Sequence, residues 1–135
     1  MSSIIGHLAE FARAFTGLSP QSIASTTANG AAVDCKDYQK ALVVALIGAI
    51  GSGSVVVQIQ ESADGSTGWT NVTSATMTTT TQNTTHYGSI DQKQRKRYLR
   101  ASITTTGTSS AGVAILACQK SPAPSATSTQ YSYAV

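Results

Sequence analysis

KALVVALIGAIGSGSVVVQIQE, residues 40 to 61, is the stretch whose reading decides the fold. Its first eight residues, Lys40 to Ile47, are apolar at nearly every position, as a strand covered on both faces requires. Gly48 to Ser54 reads GAIGSGS, a run of small residues suited to a turn. From Ser54 to Glu61 the pattern alternates, with Val55, Val57 and Ile59 on one face and Val56, Gln58 and Gln60 on the other. Two strands around a glycine-rich turn predict a hydrophobic hairpin.

Working downstream, Asp64 and Gly65 in ESADGSTGW mark a tight turn, after which Trp69 to Val72 opens another strand. Thr73 to Thr85 has high β propensity and little to bury, which predicts edge strand and loop. Arg97 to Thr105 alternates with Leu99, Ala101 and Ile103 inward, Gly107 to Ala111 reads as a turn, and Gly112 to Gln119 is an apolar strand expected to pair with it. Short strands separated by Gly, Asp and Ser clusters predict an all-β chain, an antiparallel β-sandwich of jelly-roll-like type, rather than a parallel α/β sheet.

Upstream, Ile4, Ile5, Leu8, Phe11, Ala12 and Phe15 fall at the spacing of one helical face, so Ser3 to Phe15 predicts a short N-terminal amphipathic helix. That helix either covers an open end of its own domain or docks onto a neighbouring subunit through Leu8, Phe11 and Phe15. Leu18 to Ala32 lacks periodicity and reads as a linker. Beyond Lys120 the tail SPAPSATSTQYSYAV is expected to be extended, with Tyr131 and Tyr133 alternating as an added strand on a partner would. The expected organisation is therefore an arm over 1–32, a sandwich over 33–120 and a tail over 121–135.

The 135 residues suffice for one core. Charged residues are only 11% of the chain, a surface that another subunit covers with little desolvation. The net charge of +3 is unevenly placed, because five of nine basic residues, Lys93, Arg95, Lys96, Arg97 and Arg100, share one short stretch. The run reads first as a solvated loop entering a strand; as contacts, Lys93, Arg95, Lys96 and Arg97 are the candidate electrostatic residues, to an acidic protein patch or, less favoured for want of interleaved aromatics, to nucleic acid phosphate. No basic region precedes the first apolar residues, so no secretory leader is expected, and the longest apolar run is too short for a membrane-spanning helix.

Chemistry is sparse. His7 and His86 are the two histidines, and the carboxylates Glu10, Asp34, Asp37, Glu61, Asp64 and Asp91 are scattered. No nucleophile, base and orienting group come together, so no enzyme activity, metal, cofactor or small-molecule substrate is expected. Cys35 and Cys118 lack metal-ligand spacing and read as buried thiols or a disulfide. GAIGSGS has no following lysine or helix, which argues against a phosphate cradle, and the two Asn-X-Thr matches at Asn71 and Asn83 arise easily in so Thr-rich a chain.

The succession AAVDCKDYQKALVVALIGAIGSGSVVVQIQESADGSTGWTNV, followed by KRYLRASITTTGTSSAGVAILA, resembles small β-sandwich virion proteins of tailed bacteriophages across roughly Ala31 to Gln119. The resemblance implies a capsid decoration or cement protein, assembled in the host cytoplasm into the virion, whose partners are the major capsid protein and copies of itself. A neck or tail component, or a carbohydrate-binding adhesion module using Trp69, the single tryptophan, are the alternatives.

Overall fold

Alternation of side chains in and out of one core organises the chain. In this computed structural model residues 12–36, 38–118 and 133–134 are described. They form strands β1 (Ala12–Ala24), β2 (Thr27–Asn29), β3 (Val33–Asp34), β4 (Lys40–Ile50), β5 (Val55–Ser62), β6 (Thr70–Thr79), β7 (Thr84–Asp91), β8 (Tyr98–Thr105), β9 (Thr108–Cys118) and β10 (Tyr133–Ala134), with a single 3-10 turn at Gln92–Gln94. The all-β expectation holds.

Strand pairing is nested. β1 pairs β9, β2 and β3 pair β8, β4 pairs β7 and β5 pairs β6, all antiparallel. The result is one long hairpin, closed by the β5–β6 turn and folded over itself into two sheets of order β1-β9-β4-β7-β10 and β2-β8-β5-β6, with β3 beside β8. With β2 and β3 counted as one interrupted strand, this is the eight-stranded jelly roll, to which β10 is added.

The expected hairpin over Lys40 to Glu61 does not exist, because β4 and β5 lie in opposite sheets. Ala41, Val43, Ala45 and Ile47 on β4 and Val55, Val57 and Ile59 on β5 are all buried, but they face one another across the core. The GSGS segment turns the corner between the sheets. Likewise β8 and β9 are not a pair, and Thr106 and Gly107 form a second corner beside the first. The corners are tied by Ser54 N to Thr106 Oγ1 at 2.9 Å and Thr106 N to Ser54 O at 3.2 Å.

A second correction concerns the N-terminal arm. Ala12 to Phe15 are strand rather than helix, and the expected linker is divided between β1, which takes its residues up to Ala24, and β2 at Thr27–Asn29; β1 pairs with β9 from Ala12↔Cys118 to Ala24↔Thr108. Register shifts between Thr16 and Leu18 and between Leu18 and Gln21 break its period of two, yet Leu18 and Ile23 still reach the core. The sandwich thus includes residues from Ala12 onward. The rest of the predicted helix, with Leu8 and Phe11, lies outside the described residues.

Burial is dense at the centre: Ile59, Ile90, Leu99, Ile103 and Ile115 are fully enclosed, each contributing on the order of 2 kcal/mol of apolar burial. The two ends of the sandwich differ. One holds the corners at 25–26, 51–54, 80–83 and 106–107; the other holds the 35–39 connection, the β5–β6 turn and the segment leading from the 3-10 turn into β8.

Candidate functional site

Every described Lys, Arg, Asp and Glu lies toward this second end. Arg13 and Lys40 begin β1 and β4, Glu61 and Asp91 fall near the ends of β5 and β7, and Arg100 is the third residue of β8. Asp34, Lys36, Asp64, Lys93, Arg95, Lys96 and Arg97 occupy β3 and the loops of the same end. Eight basic side chains against four acidic ones leave it net +4. By contrast, 24–30, 46–55, 76–85 and 104–112, which build the opposite end, carry no charge at all.

The arginines are tied into the scaffold. Arg97 donates from Nε to Asp34 Oδ1 at 2.8 Å and from Nη2 to Asp34 Oδ2 at 2.7 Å, a bidentate fork joining the β8 entry to β3. That guanidinium, helped by the Lys36 amide donating to Oδ1, holds the Asp34 carboxyl down at about 2. Arg95 lies 3.6 Å from Glu61, whose other oxygen accepts from Lys96 N at 2.8 Å. Arg100 stacks over the Trp69 ring at 4.4 Å and donates to Gln60 Oε1 at 2.8 Å, while Arg13 sits 5.1 Å from the Phe15 ring.

The lysines are different. Lys36, Lys93 and Lys96 are exposed and enter no ion pair with a described residue. Lys93 is carried by the 3-10 turn, whose first amide bonds Gln39 O at 2.8 Å and whose cap is the Asp91 carboxylate accepting from Lys93 N at 3.1 Å. Gln92 Nε2 reaches Lys96 O at 2.7 Å and fixes the path that presents Lys96.

Of the four basic residues singled out from the sequence, the structure therefore keeps Lys93 and Lys96 as outward cations, pairs Arg95 with Glu61 at 3.6 Å and hydrogen-bonds Arg97 to Asp34. Lys36 was missed. Its signal, the alternating charges of Asp34-Cys35-Lys36-Asp37, acquires meaning only when Arg97 brings β3 against the β8 entry. Phe15, expected as a docking residue, is half-buried and meets Tyr38 edge-on at 6.3 Å between centroids. Tyr131 lies outside the described residues, and Tyr133 is paired with Gly88 of β7.

Among the described residues no three His, Cys, Asp or Glu side chains cluster as metal ligands. His86 Nε2 lies 3.0 Å from Thr84 Oγ1. Burial, with Asp34 adding to it, pushes the Cys35 thiol up to about 11, so it is not a nucleophile at neutral pH. Asp64, below the ordinary carboxylate range, accepts from the Thr67 and Ser66 amides and the Thr67 hydroxyl, which builds the β5–β6 turn. A shallow apolar depression lined by Pro20, Leu46, Ile47 and Gly112 opens on the outer face of the first sheet and offers no titratable group.

The arrangement is a jelly-roll sandwich whose described charged residues gather at one end. No family model and no curated protein matches the chain. Among solved structures, the PBSX exported protein XepA superposes with a TM-score of 0.64 at 12% identity, over 95% of this chain and 44% of that one. The chain thus spans less than half the length of XepA. A Bacillus endospore appendage, from a family of disulfide-linked pili, gives 0.51 at 17% identity, over 82% of this chain and 90% of that one. The SPBc2 prophage-derived protein YomS gives 0.44 at 12% identity, over 78% and 92%. The first two share the sandwich fold with this chain.

Proposed function

We propose that this protein is a non-enzymatic structural component of a phage particle, a capsid decoration or cement protein that binds the major capsid protein lattice and neighbouring copies of itself. The observation that carries the reading is the polarity of the sandwich. Among the described residues the exposed lysines are gathered at one end and the opposite end carries no charge, a division that suits one oriented contact with an acidic protein surface and close packing elsewhere. The virion-protein resemblance of residues 31–119 supports the same reading, as does the jelly-roll topology, a common capsid architecture. The likeness to an exported protein leaves neck, tail and released forms as variants of this reading.

The adhesion alternative is less well supported, since the Arg100 guanidinium already covers one face of the Trp69 ring that a sugar would stack on. The test is to add purified protein to expanded capsids assembled without it. Saturable, stoichiometric binding that raises the heat resistance of the capsid is expected. Absence of binding, together with glycan binding that is lost in Trp69→Ala, would overturn the proposal.

A further inference from the structure

With β10 set aside, the two sheets end in four edges, and three of them are protected by their own backbone. β1 carries two register shifts and Pro20. β2 and β3 are only three and two residues long. β6 meets β5 with a register shift between Gln58 and Gln60, and its Ser74 has a φ of +68°. Bulges, prolines and short strands keep an edge from templating another chain. β7 has none of these. It matches β4 one for one from Lys40↔Asp91 to Ile47↔Thr84, and Thr84 to Asp91 contains no proline, lysine or arginine.

This regular edge is the one that β10 occupies. Tyr133 and Ala134 pair in parallel with Gly88 and Ser89, the one parallel pairing among the described strands. β10 also lies beside β6, so it stands where the margins of the two sheets meet. The other strands follow the nested antiparallel hairpin, and β10 is an addition to it. A strand of two paired residues opens locally at far lower cost than the sandwich unfolds.

We propose that β10 is a cover for the β7 edge. Held by its own chain, it keeps β7 from pairing with β7 of a second copy, and its displacement opens that edge to an antiparallel, two-fold symmetric contact. A second copy is the occupant because the edge is complementary to itself: a two-fold axis near its middle sets Asp91 against the Thr84–Thr85 end, so no like charges meet. This inference concerns the free chain and does not rest on the capsid reading. Its test uses purified protein without capsids, so the two fail separately.

Three full-length proteins are compared in a Cys118→Ser background. One is the parent; one is locked by Ser89→Cys/Ala134→Cys, a directly paired couple whose Cα separation suits a disulfide. The third is opened by Tyr133→Pro/Ala134→Pro, which removes both amides of β10. Deletion of residues 133–135 is a second opening, and melting temperatures check that each sandwich is intact. Hydrogen exchange of residues 84–91 and sedimentation across protein concentrations are the readouts. Both opened proteins are expected to exchange faster over 84–91 and to dimerise with rising concentration, while the locked protein does neither. Adding Tyr87→Lys, at an exposed position of β7, should abolish the dimer, whereas Ala63→Lys in the β5–β6 turn, with the same net charge, should not. Unchanged exchange on opening would show that β10 covers nothing. Opened proteins that sediment like the locked one, or a dimer to which the two lysines make no difference or an equal one, would also overturn the proposal.

Discussion

Asp34 shows what a single side chain does at the charged end. Its carboxyl is held at about 2, against an ordinary 3.8, first by the Arg97 fork and then by the Lys36 amide. A carboxylate depressed in the folded state stabilises above its unfolded pKa and loses that contribution as pH falls through the folded value. The window is therefore from about pH 3.8 down to about 2. With side-chain exposures of 45% for Arg97 and 43% for Asp34, solvent screening limits the pair to about 1 kcal/mol. Asp34→Asn is expected to lose up to that amount at neutral pH and to show a shallower decline in stability across the window, read from urea denaturation at a series of pH values. A profile superimposable on that of the natural chain would show the fork to be ornamental. Cys35, one position on, is buried with its thiol pushed up to about 11. In a Cys118→Ser background it is expected to resist an aromatic disulfide reagent at pH 8 while folded and to react rapidly in denaturant.

At the scale of elements, apolar runs and alternation located β4, β5, β8, β9 and the start of β6, because these are local properties that survive without knowledge of partners, whereas β7, with only Gly88 and Ile90 buried, was not read as a strand. Pairing was not legible. Val55, Val57 and Ile59 show the same inward pattern whether β5 sits beside β4 or opposite it, and only the corner chemistry distinguishes the two. Gly53 has a φ of +74°, and a Cβ there would lie 2.3 Å from Thr106 Oγ1, the atom that accepts from Ser54 N. Gly68 has a φ of +67° but open space around it. Both alanine substitutions incur the left-handed backbone cost of about 1–2 kcal/mol, and Gly53→Ala adds the clash between corners. Gly53→Ala is thus expected to destabilise more than Gly68→Ala in chemical denaturation; equal losses would mean that the corners do not depend on one another. β1 escaped detection because its two register shifts erase the period of two and its exposed Ser, Gln and Pro residues resemble a linker. The basic run at 93–97 was visible, but its division into arginines paired with carboxylates and outward lysines depends on Asp34 and Glu61, which are distant in sequence.

For the whole molecule, placement of charge matters more than its total. A net +3 distributed evenly would do little, whereas cations concentrated at one end orient the molecule before contact and accelerate encounter with an acidic surface. Lys36, Lys93 and Lys96 are the groups available for this, since they enter no ion pair with a described residue. Replacing all three with Gln touches no described ion pair, so each change should move stability by no more than about 0.5 kcal/mol. Association with expanded capsids is expected to slow by about 10-fold at low salt, with a much weaker dependence on ionic strength. Restoring one positive charge at the wrong end, by adding Thr80→Lys to the triple variant, should not recover the rate, because the encounter depends on which end leads. Stopped-flow or biosensor association measured across salt concentrations decides it. Unchanged kinetics in the triple variant, or recovery on adding Thr80→Lys, would mean that net charge rather than the charged end governs binding, and the docking surface would then have to be sought on the apolar outer face around Leu46.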